Sequence, residues 1–412
     1  MTTSTGTSAG DPSSPDKASD RYALPVLLLS VFISVIGFGI VVPMLPFFAE
    51  VFGAPTWQVT LLFATYSLGQ FAGELFWGRL SDRVGRRPVL LLTMALSIAG
   101  YLALAFAPGI WLAIVARGAA GFFAGNMSVI QSYVVSVSPR ERLSSRLGLI
   151  GVAYGIGFVV GPALGGLLAH PEAGSAGLRP PLLVAAALCM AATSGVLFFV
   201  REGRRGPVVR APAGKRFSGL VAAYQNVMLR RLLGASFFAF AAFSAVWSTL
   251  GLWCQARFGW GPREIGAAIA LAGGAAAVGQ GLLAGVSARR LGEVMTSWVA
   301  LIATAGLLLL TMFSPFMILS MAALTGAVMA HSLCQPCIGS LVSRAVTPQQ
   351  QGSALGANAA ASALARVVGP SFAGGLFSLG GPDGPFVFAA LGMLPAAWLV
   401  LTADRQMPVG SK

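Results

Sequence analysis

Long apolar runs separated by short polar turns dominate this chain. A run of about 18 residues, rising 1.5 Å per helical residue, is long enough to cross roughly 30 Å of hydrocarbon. Twelve such runs are found: Ala23–Ala49, Trp57–Trp77, Pro88–Ala107, Ile110–Val137, Leu147–Ala169, Pro181–Val200, Leu232–Ala256, Ile265–Ala288, Val294–Phe313, Phe316–Val342, Gly352–Leu379 and Phe386–Ala403. The pattern predicts an all-α integral membrane protein of twelve transmembrane helices, numbered here spans 1–12. Spans 9 and 10 meet at Ser314–Pro315 with almost no loop. Residues 1–22, rich in Ser, Thr, Gly, Pro and Asp, read as a disordered tail. No basic patch, short apolar run and small-residue cleavage site precede span 1, so no secretory signal is expected.

Composition removes the soluble alternatives. Of 412 residues 56% are hydrophobic and 10% charged, with a mean hydropathy of +0.78, whereas a soluble domain carries roughly 25% charged residues. A net charge of +14 would suggest nucleic acid in a soluble chain, but here the cations sit in loops, where membrane topology accounts for them. Twenty-two of the 27 Lys and Arg residues fall on one side of the predicted bundle. Only Arg179, Arg257 and Arg263 fall on the other, and Arg117 and Arg366 lie inside spans. Positive charge stays in the cytoplasm, so both termini are expected there, in a bacterial inner (plasma) membrane.

The chain also repeats itself. Gly78 and Gly85 recur as Gly285 and Gly292 at an offset of 207, and Gly148 with Gly161–Pro162 recurs as Gly356 with Gly369–Pro370 at 208. Two six-helix bundles related by pseudo-symmetry are therefore expected, over 23–200 and 232–403. A basic, Gly- and Pro-rich linker over 201–231 joins them and a tail, 404–412, follows.

The densest motif is Gly78-Arg79-Leu80-Ser81-Asp82-Arg83-Val84-Gly85-Arg86-Arg87-Pro88. A positive-inside loop explains its arginines but not Asp82 or the glycine spacing. Here the chain resembles the major facilitator superfamily, whose loop between spans 2 and 3 carries this signature. The resemblance covers the whole chain and implies a transporter that rocks two halves about a central site. In that family the loop acid helps latch the halves in the cytoplasm-closed arrangement. The resemblance places Asp82, with Gly78, Arg83, Gly85 and Arg86, in that latch, near the start of span 11 around Gly352, where a helix dipole favours a carboxylate.

Span 5 carries Gly157, Gly161, Pro162, Gly165 and Gly166. Small residues at four-residue spacing with a proline read as close helix packing. The same pattern resembles the drug/proton antiporter branch, as does Arg117 with Gly four residues on, which that branch implicates in proton transfer. A purely structural role for Arg117 is the other reading, and Arg366 in span 11 is read as structural. Pro43 and Pro46 should break the hydrogen-bond ladder of span 1. Relatives place an acid at the position of Ser34, and tetracycline exporters an aspartate at that of Ser136. Their absence argues against a tetracycline–metal chelate as cargo.

Of thirteen acids only Glu74 lies clearly within a span. Partly out of water, its carboxylate could load and release a proton, or it could support the loop 2–3 latch. Arg117 lies nearer the other membrane face, so the two are not expected to pair. A cavity between the halves would be lined by Phe38, Tyr66, Gln70, Asn126, Gln131 and Tyr154 from one half and Phe240, Trp247, His331 and Asn358 from the other. Each of these residues could instead pack helices; together their aromatics suit apolar or amphipathic cargo.

Cys334-Gln335-Pro336-Cys337 resembles a redox dithiol only in spacing, and two distant histidines supply no metal site. No cofactor, metal, nucleic acid or enzymatic chemistry is expected. The expected partners are a small-molecule substrate, protons and lipid, with the chain a monomer. Proton-coupled export of small amphipathic compounds is the leading reading, with import or facilitated passage of a metabolite as the alternative.

Overall fold

The computed structural model describes residues 17–138, 143–200, 226–347 and 350–404. The tail 1–16, residues 201–225 of the expected linker, the tail 405–412 and the side chain of Ser136 lie outside the described residues. All regular structure among the described residues is helical. Eleven helices are long and apolar enough to cross a membrane. Thr56–Val84 supplies the remaining span: its 29 residues are long enough, but Thr60, Thr65, Tyr66, Gln70 and Glu74 dilute its apolar character. In lipid a helix satisfies its own backbone polar groups, which is why such runs fold this way.

Span 1 is Lys17–Val41, continued through a 3-10 turn at Val42–Met44 into Leu45–Phe52. The break falls at Pro43 and Pro46, as expected of residues that cannot donate a backbone hydrogen bond. Spans 2 and 3 are Thr56–Val84 and Arg86–Ala105. Span 4 is split into Ile110–Ala124 and Met127–Val137 at Gly125–Asn126; span 5 is Leu143–Leu168 and span 6 Arg179–Phe199. The second half follows with span 7, Val227–Phe258, and with span 8, where a π-helical turn at Gly279–Leu283 joins Pro262–Val278 to Ala284–Leu291. Spans 9 to 12 are Glu293–Phe313, Met317–Arg344, Gln351–Gly380 and Gly384–Asp404.

The backbone repeats as the sequence does. Gly85 (φ 117°, ψ 159°) and Gly292 (φ 80°, ψ 158°) make the same turn after spans 2 and 8. Gly53 (φ 59°) and Gly259 (φ 66°) end spans 1 and 7 in the left-handed region, at an offset of 206. Packing repeats too. An added Cβ at Gly161 would lie 2.8 Å from the Ile36 carbonyl of span 1, and its counterpart Gly369 meets Ala241 and Ser244 of span 7. Small residues thus let paired helices approach to backbone contact.

The halves touch along spans 5 and 8 and along spans 2 and 11. Gly166 lies against Pro262 and Gly266, Gly374 against Trp57 and Thr60, and Gly251 against Pro46. Gln255 donates to Glu50 at the same end. Towards the other end, which bears the 78–88 turn, the last close approach along spans 5 and 8 is Gly155 to Ala277. One and two turns further, Gly151 and Gly148 meet nothing within 4 Å, nor do Gly281 and Gly285. Spans 5 and 8 therefore part towards the basic end, which opens the cleft on that side of the bundle.

Candidate functional site

Arg117 is the largest polar side chain sealed within the structure, at 0% exposure. Glycines put it there. An added Cβ at Gly121 would strike the Tyr66 carbonyl, and one at Gly125 would lie 2.6 Å from the Glu74 amide. Span 4 therefore presses against span 2. The guanidinium carbon stands 4.3 Å from the centre of the Tyr66 ring and 5.4 Å from that of Phe38. Cation–π attraction is the main contact this geometry offers. None of Nε, Nη1 and Nη2 finds a hydrogen-bond partner.

From this box a chain of rings crosses to the other half. Phe38 lies 5.0 Å from Tyr66 and 5.8 Å from Phe158. Phe158 is stacked with Tyr154 at 5.5 Å and reaches Trp247 of span 7 at 6.0 Å. Trp247 stacks on Phe243 at 5.8 Å, and Phe243 on His331 of span 10 at 4.0 Å, with Phe240 edge-on to the imidazole. Both His331 nitrogens are buried and unpartnered. Tyr154 is 43% exposed and presents the chain to solvent or lipid. Phe38, Tyr66, Tyr154, Phe240, Trp247 and His331 are thereby brought into one continuous cluster.

Other expected lining residues behave differently. Asn126, 4% exposed, turns into its own half and donates to the Thr93 hydroxyl at 2.8 Å, bracing the break in span 4 against span 3. Asn358 accepts from Ser236 at 2.6 Å, tying span 11 to span 7. Gln131 is exposed, and Gln70 is half-buried one turn from Glu74.

Glu74 is half-buried, with no hydrogen bond or ion pair among the described residues. It does not meet Arg117, as expected. The guanidinium that acts on it electrostatically is Arg366 of span 11, from the opposite half. Arg366 acts on Tyr66 and Tyr154 as well, and its Nε is buried without a partner. The two belong to different halves, an interaction that the structural reading of Arg366 does not include.

In the 78–88 turn, Ser81 donates to the Gly78 carbonyl at 2.8 Å and the Gly85 amide to Ser81 at 3.0 Å. Arg87 donates to the Leu197 carbonyl. Asp82 and Arg83 are exposed and Arg86 is half-buried. No hydrogen bond or ion pair joins Asp82 to another described residue, and Gly352 meets nothing within 4 Å. In this open-cleft arrangement the expected contact between Asp82 and span 11 is not made.

The span 5 glycines divide between two tasks. Gly157, Gly161 and Gly165 take Val35, Ile36 and Ile40 of span 1 at close range, while Gly166 and the Pro162 carbonyl meet Gly266 of span 8. One face of the motif is thus internal packing and the other is the seam between halves.

A family model described as Major Facilitator Superfamily matches residues 27–334 and 232–412. The chain belongs to the major facilitator superfamily. It is accordingly a multi-pass membrane transporter and not an enzyme. Among curated superfamily relatives, the class H tetracycline resistance protein of Pasteurella multocida is 27% identical over 385 residues, 92% of this chain and 94% of its own. Multidrug resistance protein 2 of Bacillus subtilis (strain 168) is 26% identical over 91% of this chain and 94% of its own. Of solved superfamily folds, a bacterial homologue of the human lysosomal transporter Spinster, inward-facing and occupied, superposes with a TM-score of 0.82. It shares 16% identity, over 95% of this chain and 98% of that one.

Sequence reasoning passed over Phe158, Phe243 and the position of Arg366. The first two carried a signal: Tyr154 and Phe158, and Phe243 and Trp247, are aromatic pairs four residues apart, so each pair shares a helix face.

Proposed function

We propose that this superfamily member exports small amphipathic compounds in exchange for protons, by alternating access, from the cytoplasm across a bacterial plasma membrane. In this reading both termini and the linker 201–231 are cytoplasmic, and the monomer is the working unit. The two bundles, 23–200 and 232–403, rock about the aromatic cluster. The open basic end then makes the present arrangement inward-facing, ready to take cargo from the cytoplasm or the inner leaflet.

The observation that carries this reading is that half-buried Glu74, in the first half, feels the charge of Arg366, in the second. Protonation of Glu74 removes a charge that Arg366 feels, so proton occupancy and the separation of the halves are linked. The similarity to a tetracycline resistance protein and a multidrug resistance protein supports outward transport. Asp82 and the rest of the 78–88 turn act as the latch of the cytoplasm-closed state, and Arg117 anchors the cluster.

Proteoliposomes test this directly. Cargo added to wild-type protein should release protons, and Glu74→Gln should abolish that release while cargo still binds. Unchanged proton release in Glu74→Gln removes the residue from coupling. Growth of an efflux-deficient bacterium against a panel of antibiotics and dyes tests direction: protection supports export, and accumulation of a compound by expressing cells would establish import instead.

A further inference from the structure

Arg117 is a buried cation that lacks a counter-charge. All three of its nitrogens are unpartnered, and the rings of Tyr66 and Phe38 supply attraction to its face but no acceptor for its donors. A guanidinium so placed in a lipid-embedded bundle is costly unless an anion joins it at some step.

The described chain has no acid that can do this. Glu74 lies eight residues beyond Tyr66 on the same helix, about 12 Å along its axis, and Arg366, not Arg117, acts on it. Glu50, Asp82, Glu172, Glu264, Glu293 and Asp383 lie at the ends of spans or between them. No acid among the described residues supplies the missing anion, whereas a bound anionic ligand would.

The route to Arg117 is aromatic. Tyr154, Phe158 and Phe38 form a continuous wall from an exposed ring to the one that covers the guanidinium. Phe38 itself is only half-buried, so a shift of that ring uncovers the cation. A ligand suited to this path has a flat apolar body to stack along the rings and an acidic head to pair with the fork of the guanidinium. A cationic ligand would meet the uncompensated charge of Arg117.

We propose that the cargo is an organic anion, a planar aromatic body bearing a carboxylate or comparably acidic oxygen, and that Arg117 is the residue that selects it. The proposal deepens the exporter reading and rests on it for the word cargo.

Three ligands of one ring system test it: 1-naphthoate, 1-naphthamide and 1-naphthylmethylammonium, measured by equilibrium dialysis against the full chain in lipid nanodiscs. A charge-assisted pair predicts naphthoate binding at least about tenfold tighter than naphthamide, with the ammonium weakest. Arg117→Lys should keep that order, and Arg117→Met should bring the naphthoate-to-naphthamide ratio to about one. Equal binding of naphthoate and naphthamide by the wild type, or tighter binding of the ammonium, overturns the proposal. So does a ratio preserved in Arg117→Met. The wild-type series alone decides the matter if the methionine variant does not fold. Proton-driven uptake of naphthoate into everted vesicles is measured separately. Binding preference without such uptake sinks the exporter reading alone; proton-driven uptake of naphthamide without any acid preference sinks this one alone.

Discussion

Gly165 and Gly166 are neighbours in span 5 and should respond to the same substitution in different ways. A methyl group at Gly165 would strike the Ile40 carbonyl of span 1, within its own half. One at Gly166 would strike the Pro262 carbonyl and lie 3.1 Å from the Gly266 Cα of span 8, across the seam. Overpacking against backbone costs about 1–3 kcal/mol. For Gly165→Ala that cost falls on every conformation in which the first half is folded, so stability drops and the conformational equilibrium stays put. For Gly166→Ala it falls only on conformations that close this seam. The ratio of basic-end-open to basic-end-closed molecules should then fall by roughly 5- to 150-fold. Double electron–electron resonance reads this from spin labels at Leu149→Cys and Val286→Cys, two exposed positions on facing halves; the four native cysteines are buried. Wild type should give mainly the long distance, Gly165→Ala the same distribution with a lower melting temperature, and Gly166→Ala a new short-distance population. A distribution unmoved by Gly166→Ala, or moved equally by Gly165→Ala, refutes the assignment of the two glycines.

Two further outcomes follow from single side chains. Asp82→Asn should slow turnover several-fold and leave ligand affinity within about twofold, because Asp82 is exposed in the open arrangement and makes no hydrogen bond or ion pair among the described residues; affinity lost in step with turnover would place Asp82 in binding instead. His331→Phe should raise the melting temperature, since it keeps the stack on Phe243 and removes a buried group whose two nitrogens lack partners, a burden of about 1–3 kcal/mol. A fall in melting temperature would show that the imidazole has a partner.

The membrane-spanning count was legible because a run of about 18 apolar residues has few other uses. Span 2 shows the limit of that signal, for its polar inner face makes its apolar average the weakest of the twelve although its length suffices. Helix ends were legible wherever glycine turns recur, as at Gly85 and Gly292. Side-chain partners were not. Asn126 has the composition of a cavity residue, and only the break at Gly125–Asn126 turns its amide towards Thr93. Arg366 could not be matched to Glu74 from spacing, because a separation of 292 in sequence says nothing about which spans lie near each other.

That pairing leads to the sharpest test of coupling. Glu74 and Arg366 belong to different halves, so their interaction free energy changes when the halves move. Any such change makes the charge on Glu74 and the conformational equilibrium interdependent, whichever group is altered. A mechanism in which Glu74 merely braces its own half, as a support for the 78–88 turn, carries no such dependence on Arg366. A double-mutant cycle separates the two. The open-to-closed ratio, read with the same spin-label pair, is measured for wild type, Glu74→Gln, Arg366→Gln and the double variant. Coupling between the halves predicts that the two single effects fail to add by clearly more than about 0.5 kcal/mol. If they add to within about 0.5 kcal/mol, Glu74 does not sense the opposite half, and the proton must be handled elsewhere in the chain.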